Sequence, residues 1–285
     1  PRQQLKYGRS MASATRAGKR NRELEEKLEQ VQEREKRLKT SACAAAEHLV
    51  CAITHELPVD PVTAEDGFIY EEREISEWIR KKQADEDAVT SPRTNAPMGT
   101  KLLPAVQVRN AIKDLVRNGV IDGDLAKQWK SSMDDRETVE KAKKRAEDGD
   151  ADAMFNLGNW YRDGQFGLTR NDEESYKWYK QAADLKDTRG MVAAGWRLVT
   201  GVGVEKNVSH GMVLVASAAE RGSDCACSYL GRWYLRGKHG LPKDRKEAMR
   251  WLRRATDGSC SVHHLKGECK EKTKAMLQLL ETMDD

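Results

Sequence analysis

Six cysteines and six histidines supply the thiols and imidazoles with which a chain most often holds zinc or pairs a nucleophile with a base. They fall mainly into two sets. His48, Cys51 and His55 open a loop-rich stretch, while Cys225, Cys227, Cys260, His263, His264 and Cys269 gather near the C-terminal end. A small domain held by two zinc ions needs about eight Cys/His ligands in paired spacing. No Cys or His occurs between Glu56 and Ser209, so zinc cannot hold the first stretch. Cys51 with His48 or His55 as base has the composition of a covalent acceptor, but a thiol at the entry to a small domain is expected to be buried and structural. In the second set, Cys227 and Cys260 fall on helix-packing positions of an internal repeat and read as buried thiols in the same way. No Walker loop, nucleophile elbow or metalloprotease helix motif occurs, and Gly201-Val202-Gly203 lacks the third glycine of a dinucleotide loop. No metal, cofactor or covalent catalytic residue is expected.

Chemistry without a nucleophile has to come from positioning, so the elements matter. Residues 48–119 read as a small α+β domain. Five of the seven prolines lie between Pro58 and Pro104. PVTAEDGFIY predicts two short strands turned at Asp66-Gly67. EREISEWIRKK predicts a helix with Ile75, Trp78 and Ile79 on one face. The loop SPRTNAPMGTKLLP follows, then a second helix carrying Val106, Val108, Ile112, Leu115 and Val116. Before this domain, residues 1–20 form a basic arm expected to be disordered, and 21–47 a helix. Leu24, Leu28, Val31 and Leu38 mark a heptad seam there, continued by Ala42 and Ala45 and interrupted by Glu35. The seam reads either as a coiled coil pairing two copies of the chain or as a solvated lead-in helix. Residues 120–148 predict a connecting helix with a thin apolar stripe.

Residues 149–258 repeat. Leu157-Gly158, Ala194-Gly195 and Leu230-Gly231 recur at spacings of 37 and 36, as do Gly164, Gly201 and Gly237. Trp178, Leu214 and Trp251 share a position, and Ala182-Ala183, Ala218-Ala219 and Ala255-Thr256 close each unit. Two helices per unit at a period in the mid-thirties predict an α-solenoid of three units. Residues 259–285 read as a degenerate repeat and a capping helix, with Gly258 and Gly267 spaced like Gly149 and Gly158, and with Ala275, Met276, Leu279 and Leu280 offered to the last apolar face. The fold class is therefore mainly α, with one small α+β domain and a C-terminal solenoid.

Composition narrows the rest. Fifty basic and 46 acidic residues leave a net charge of +4, so a nucleic-acid partner is not expected. No run of about 18 apolar residues exists, which excludes a membrane-spanning helix. No apolar leader segment follows Pro1, so reduced thiols in a cytoplasmic setting are expected, and the sequon at Asn207-Val208-Ser209 reads as unused. The basic arm would also suit a nuclear address.

The stretch ITHELPVDPVTAEDGFIYEEREISEWI, followed by SPRTNAPM and LLPAVQVRNAI, resembles the U-box family of ubiquitin ligases over residues 48–118. Ile53, Glu56, Leu57, Asp60, Pro61 and Val62 fit its first loop; Gly67 and Tyr70 its hairpin; Ile75, Trp78 and Ile79 its central helix; Pro92, Thr94, Pro97 and Met98 its second loop. The resemblance implies a RING-like fold without metal, its loops fixed by hydrogen bonds, charge pairs and apolar packing. Three positions depart from the pattern: His55, Glu72 where Arg is usual, and Ala105 where Asn is usual. They put part of the internal hydrogen-bond network and the strength of partner binding in question. AMFNLGNWYRDG, VAAGWRLVTGVGV and CSYLGRWYLRGKHGL, with YKWYKQAAD and MRWLRRATDG, resemble Sel-1-like repeats, a tetratricopeptide-type helical pair that offers a surface to proteins.

Together the resemblances imply a ubiquitin-protein ligase of the RING-type aminoacyltransferase class. It would hold a ubiquitin-loaded conjugating enzyme against Ile53, His55, Trp78 and Pro97, position ubiquitin with Lys101, and form no covalent intermediate of its own. A protein substrate or adaptor would lie on the repeats, where Asn159, Arg162, Arg197, Arg232 and Arg236 occupy first-helix positions expected to face outward. The alternative is a non-catalytic scaffold whose U-box no longer activates a conjugating enzyme.

Overall fold

Asp66 and Gly67 turn the chain between strand β1 (Pro61–Ala64) and strand β2 (Ile69–Glu71). Gly67 sits at φ +81°, a conformation an L side chain rarely adopts, and the Asp66 carboxylate accepts the Phe68 N–H at 3.1 Å. The hairpin is antiparallel, with Val62 opposite Tyr70. The computed structural model describes residues 24–37, 40 and 47–282. The basic arm of residues 1–20, the seam positions Leu38, Ala42 and Ala45, and residues 283–285 lie outside the described residues. Among those described, the chain divides into two compact units with the boundary between Met133 and Asp134.

In the first unit, residues 24–37 form helix α1, on which Leu24, Leu28 and Val31 are exposed. A short 3-10 turn (Glu47–Leu49) precedes the sheet. Helix α2 (Glu72–Ala84) begins straight after β2 and buries Ile75 and Ile79 against Cys51, Val62, Ala64 and Tyr70. A third strand, β3 (Leu102–Pro104), pairs with the free edge of β1, giving the order β2-β1-β3. The sequence reading places this segment in a loop. Three residues carry too little alternation to be read as a strand, and it is the open edge of β1 that orders them. Helix α3 (Val106–Arg117) buries Ile112 and Val116 in a second cluster with Leu57, Ile121, Ala126 and Trp129.

Helix α4 (Gly123–Glu147) takes up the predicted connecting helix from Gly123 onward, and most of its apolar stripe is buried. Ala126 and Trp129 complete the first unit's cluster, while Val139, Ala142 and Ala146 pack with Ala153, Met154 and Leu157 in the second.

The second unit is a run of antiparallel helix pairs: α5 (Ala151–Asp163) with α6 (Asp172–Asp184), α7 (Thr188–Thr200) with α8 (Val208–Glu220), and α9 (Asp224–Arg236) with α10 (Arg245–Thr256). Each of these helices starts at a capping side chain: Asp150, Asn171, Asp187, Asn207, Ser223 or Asp244. The sequon residue Asn207 is thus the cap of α8, accepting the His210 N–H at 3.0 Å. The repeated glycine inside each first helix permits the close approach. A Cβ on Gly195 would lie 2.8 Å from the Gly211 carbonyl oxygen, and one on Gly231 would lie 2.7 Å from Leu252. Helix α11 (Gly267–Thr282) follows, burying Leu277 and Leu280 beside Leu252. Two details depart from expectation. Gly267 starts a helix at φ +53° with open space around it, whereas Gly158 sits inside α5 against Tyr179. Ala275 and Leu279 are exposed, so the capping face runs through Leu277 instead.

Candidate functional site

The first loop of the α+β unit is closed by its own backbone: the Cys51 N–H donates to the Glu56 carbonyl at 2.8 Å, and the His55 N–H to the Cys51 carbonyl at 2.9 Å. That turn puts His55 at φ +59° and leaves its ring exposed. The far end of the loop is held by side chains from elsewhere in the unit. The Glu71 carboxylate accepts the N–H groups of Val59 at 2.7 Å and Asp60 at 3.2 Å. Arg109 donates from Nε to the Val59 carbonyl at 2.8 Å and from Nη2 to the Asp60 carboxylate at 2.6 Å. Trp129 donates its indole N–H to the Pro58 carbonyl at 3.1 Å. Burial pushes the Glu71 carboxyl above the ordinary range, against the opposing pull of the two backbone N–H donors.

Ser91 organises the second loop. It is 1% exposed, and its hydroxyl oxygen accepts the N–H groups of Arg93 at 3.2 Å and Thr94 at 3.1 Å. Its own N–H donates to the Ala96 carbonyl at 2.8 Å. The Trp78 indole N–H reaches from α2 to the Thr90 carbonyl at 2.8 Å, so this ring ties the central helix to the second loop. The first loop is therefore fixed by hydrogen bonds and a charge pair, and the second by hydrogen bonds and the apolar packing of Trp78 and Met98.

Of the residues expected to seat a conjugating enzyme, Ile53 and Trp78 are half-buried and pack against one core cluster, together with Met98. His55 and Pro97 are exposed on the first and second loops, and Lys101 is exposed just before β3. Glu71, Ser91 and Arg109 are residues the sequence reading missed. They lie in or beside the motif stretches, Glu71 directly after the hairpin Tyr70, Ser91 opening SPRTNAPM and Arg109 within LLPAVQVRNAI, but no local pattern marks the distant groups that Glu71 and Arg109 hold. The three departures enter the network through their backbone: the His55 N–H donates to the Cys51 carbonyl, and the Glu72 N–H to the Asp60 carbonyl at 2.9 Å. Glu72 is exposed at the start of α2, and Ala105 leaves α3 without a side-chain cap while its N–H donates to the Pro61 carbonyl at 2.8 Å. Cys51 is fully buried, as a structural thiol is.

In the second unit, a groove runs along the first helices of the repeats as two hollows that share Cys225, Tyr229, His264 and Lys266. The first, about 570 Å³, is lined by Asn159, Arg162 and Arg197; the second, about 730 Å³, by Arg232 and Arg236. All five repeat residues picked from sequence thus border one surface, but Arg197 does not face outward. It is 2% exposed, with its guanidinium directed to the Asp172 carboxylate at 3.1 Å and the Ser175 hydroxyl at 3.0 Å. The repeat frame explains the difference. Arg197 stands two residues after Gly195, where the other units have Trp160 and Trp233, while Trp196 takes the position of Asn159 and Arg232. The guanidinium fills an inward tryptophan position, 5.4 Å from the Tyr179 ring centroid. In the last repeat, Cys227 and Cys260 are buried with their sulfurs 3.8 Å apart, and burial pushes Cys227 up to about 12.

Residues 45–118 match the U-box domain family, and residues 151–187, 188–223 and 226–260 match the Sel1 repeat family. The chain carries a U-box domain followed by three Sel1 repeats. It is 34% identical over 76 residues to the human WD repeat, SAM and U-box domain-containing protein 1, covering 27% of this chain and 15% of that one. It is 32% identical over 75 residues to the probable bifunctional E2/E3 enzyme R795 of Acanthamoeba polyphaga mimivirus, covering 26% and 5%. The chain thus spans a small part of these relatives' lengths. A Sel1 repeat protein from Oxalobacter formigenes aligns over 48% of this chain and 51% of its own at 27% identity, with a TM-score of 0.41. No helix among the described residues is long and apolar enough to cross a membrane.

Proposed function

We propose that this chain is a ubiquitin-protein ligase of the aminoacyltransferase class. Its U-box receives a ubiquitin-loaded conjugating enzyme, and its repeats hold the protein to be modified. The observation that carries the reading is the pair of loops pinned by Glu71, Arg109 and Ser91, with half-buried Ile53 and Trp78 joined to one core between them. Rigid loops around a partly apolar surface suit a protein that works by orienting two reactants rather than by supplying a nucleophile. In the proposed reaction a substrate lysine amine attacks the carbonyl carbon of the carrier's thioester. An isopeptide bond forms, the carrier's thiolate leaves, and the amine loses its proton; no bond to this chain forms at any point. Ile53, His55, Trp78 and Pro97 touch the carrier, and Lys101 contacts ubiquitin.

The exposed Leu24, Leu28 and Val31 of α1 form a face for pairing with a second copy of the chain. The setting proposed is cytoplasmic, with the basic arm as a nuclear address.

The test is discharge of ubiquitin from a loaded conjugating enzyme onto free lysine, across a panel of such enzymes. The intact chain should accelerate discharge, and Ile53→Ala should lower it without unfolding the domain. Absence of acceleration across the panel would leave a protein-binding scaffold instead.

A further inference from the structure

Among the described residues, the groove along the repeats is lined by cations and by no carboxylate. Its two hollows are bordered by Arg162, Arg189, Arg197, Lys266, Arg232, Arg236 and Lys272, and neither has an Asp or Glu among its lining residues. Several of these charges are already answered from outside the groove: Arg162 by Asp163, Arg189 by Asp187, Arg197 by Asp172, and Lys272 by Glu268. Three are not. Arg232, Arg236 and Lys266 pair with no carboxylate among the described residues, and all three border the second hollow. Arg236 and Lys266 are exposed, and Arg232 lies over the Tyr229 ring at 5.8 Å. The buried acid beneath this wall, Asp224, has its Oδ1 occupied by the N–H groups of Cys225, His264 and Leu265 at 2.7, 2.9 and 3.0 Å. It is committed to holding the loop that carries Lys266.

The same hollow has an apolar side. Met276 and Leu279 of α11 border it together with the arginines of α9; Met276 is half-buried and Leu279 is 63% exposed. A surface that sets three unanswered cations beside exposed apolar side chains complements a ligand carrying both kinds of group.

We infer that this groove binds an acidic protein segment, an extended peptide whose carboxylates meet Arg232, Arg236 and Lys266 while one apolar side chain seats against Met276 and Leu279. This names the substrate class for the repeats and rests on reading them as the substrate-holding part. A nucleic acid fits less well. Three unpaired cations are few for a phosphate backbone, which gains affinity from each charge neutralised, and most of the hollow's lining is apolar.

The test is peptide-display selection from a fully degenerate library on the full chain. The same selection is run on the variant Arg232→Glu/Arg236→Glu/Lys266→Glu and on the milder Arg236→Ala/Lys266→Ala, whose residues are both exposed. Single-stranded oligouridylate serves as the competing probe. Peptides enriched by the intact chain should carry Asp or Glu around one apolar position. Their consensus should bind about tenfold more weakly or worse to the charge-reversed variant, and measurably more weakly to the milder one if the first does not fold. Enriched peptides without acidic bias, equal binding by a folded variant, no enrichment at all, or oligouridylate displacing the peptide would each overturn the inference. Ubiquitin discharge onto free lysine, which uses no groove, separates the two readings. Discharge without acidic selection removes only the groove's ligand class, and acidic selection without discharge removes only the ligase activity.

Discussion

Between the U-box and the repeats, what joins neighbouring elements changes from charged side chains bonded to a loop's backbone to glycines that let two helices touch. In the U-box, Glu71 and Arg109 reach across the sequence to hold the N–H and carbonyl groups of Val59 and Asp60. In the repeats, Gly158, Gly195 and Gly231 act by lacking a side chain: they let a neighbouring helix come close enough to pack, and at Gly158 close enough for the Ser175 hydroxyl to donate to its carbonyl. Loops have backbone polar groups that must find partners, so they need donors and acceptors. Helices satisfy their own, so what they need is room and a complementary surface. The two regions should therefore fail differently.

The largest effect belongs to the repeats. At Gly195 the obstacle to a side chain is the Gly211 carbonyl, a backbone atom that cannot swing aside. Gly195→Val should cost about 3 kcal/mol or more in the denaturation of the second unit, with ubiquitin discharge onto free lysine intact at temperatures where that unit still folds. Loss of discharge without loss of structure would break the division between the two regions. Next is the U-box network. Glu71→Ala strips two backbone N–H groups of their acceptor and should cost about 1–3 kcal/mol by chemical denaturation, with a fall in discharge larger than the population unfolded accounts for. Discharge that tracks the folded fraction would make Glu71 a stabilising residue only.

Much of this comparison was legible in the sequence. Asp66-Gly67 gives the hairpin, the glycine spacing gives the helix pairs, and each first repeat helix ends at Gly164, Gly201 or Gly237 in the left-handed region, as the pattern requires. What escaped has a common cause. β3 exists because β1 has a free edge, and Glu71 and Arg109 matter because folding brings them to residues 12 and 49 positions away. Neither fact resides in a local pattern. Arg197 is different, since its register with Trp160 and Trp233 is a local feature of the repeat. An arginine looks outward by type, and here Asp172 and Ser175 compensate the buried charge well enough to keep it in.

A smaller effect is tied to pH. Asp187 caps α7. Burial pushes its carboxyl up, but hydrogen bonds from Arg189 and from the Gly190 N–H outweigh that and hold it below the ordinary carboxylate range. Its folded pKa is lower than its unfolded one, so its stabilisation is complete above about pH 4 and is lost as pH falls through the folded value. Asp187→Ala should cost about 1 kcal/mol at neutral pH, and the gap from the intact chain should close in acid melts; a gap that widens in acid would reverse the sign. The smallest effect on stability is expected at α1. Leu28→Ser should change it by less than about 0.5 kcal/mol yet shift sedimentation from dimer to monomer. An intact chain that sediments as a monomer would remove the pairing face.

The central claim is that two pinned loops seat a ubiquitin carrier. Single-turnover discharge of a loaded conjugating enzyme, measured with the intact chain and with Ile53→Ala matched for folding by thermal melt, tests it most directly. The account predicts acceleration by the intact chain and its loss in the variant. Acceleration that survives Ile53→Ala undiminished, or none from the intact chain with any conjugating enzyme of the panel, would contradict it.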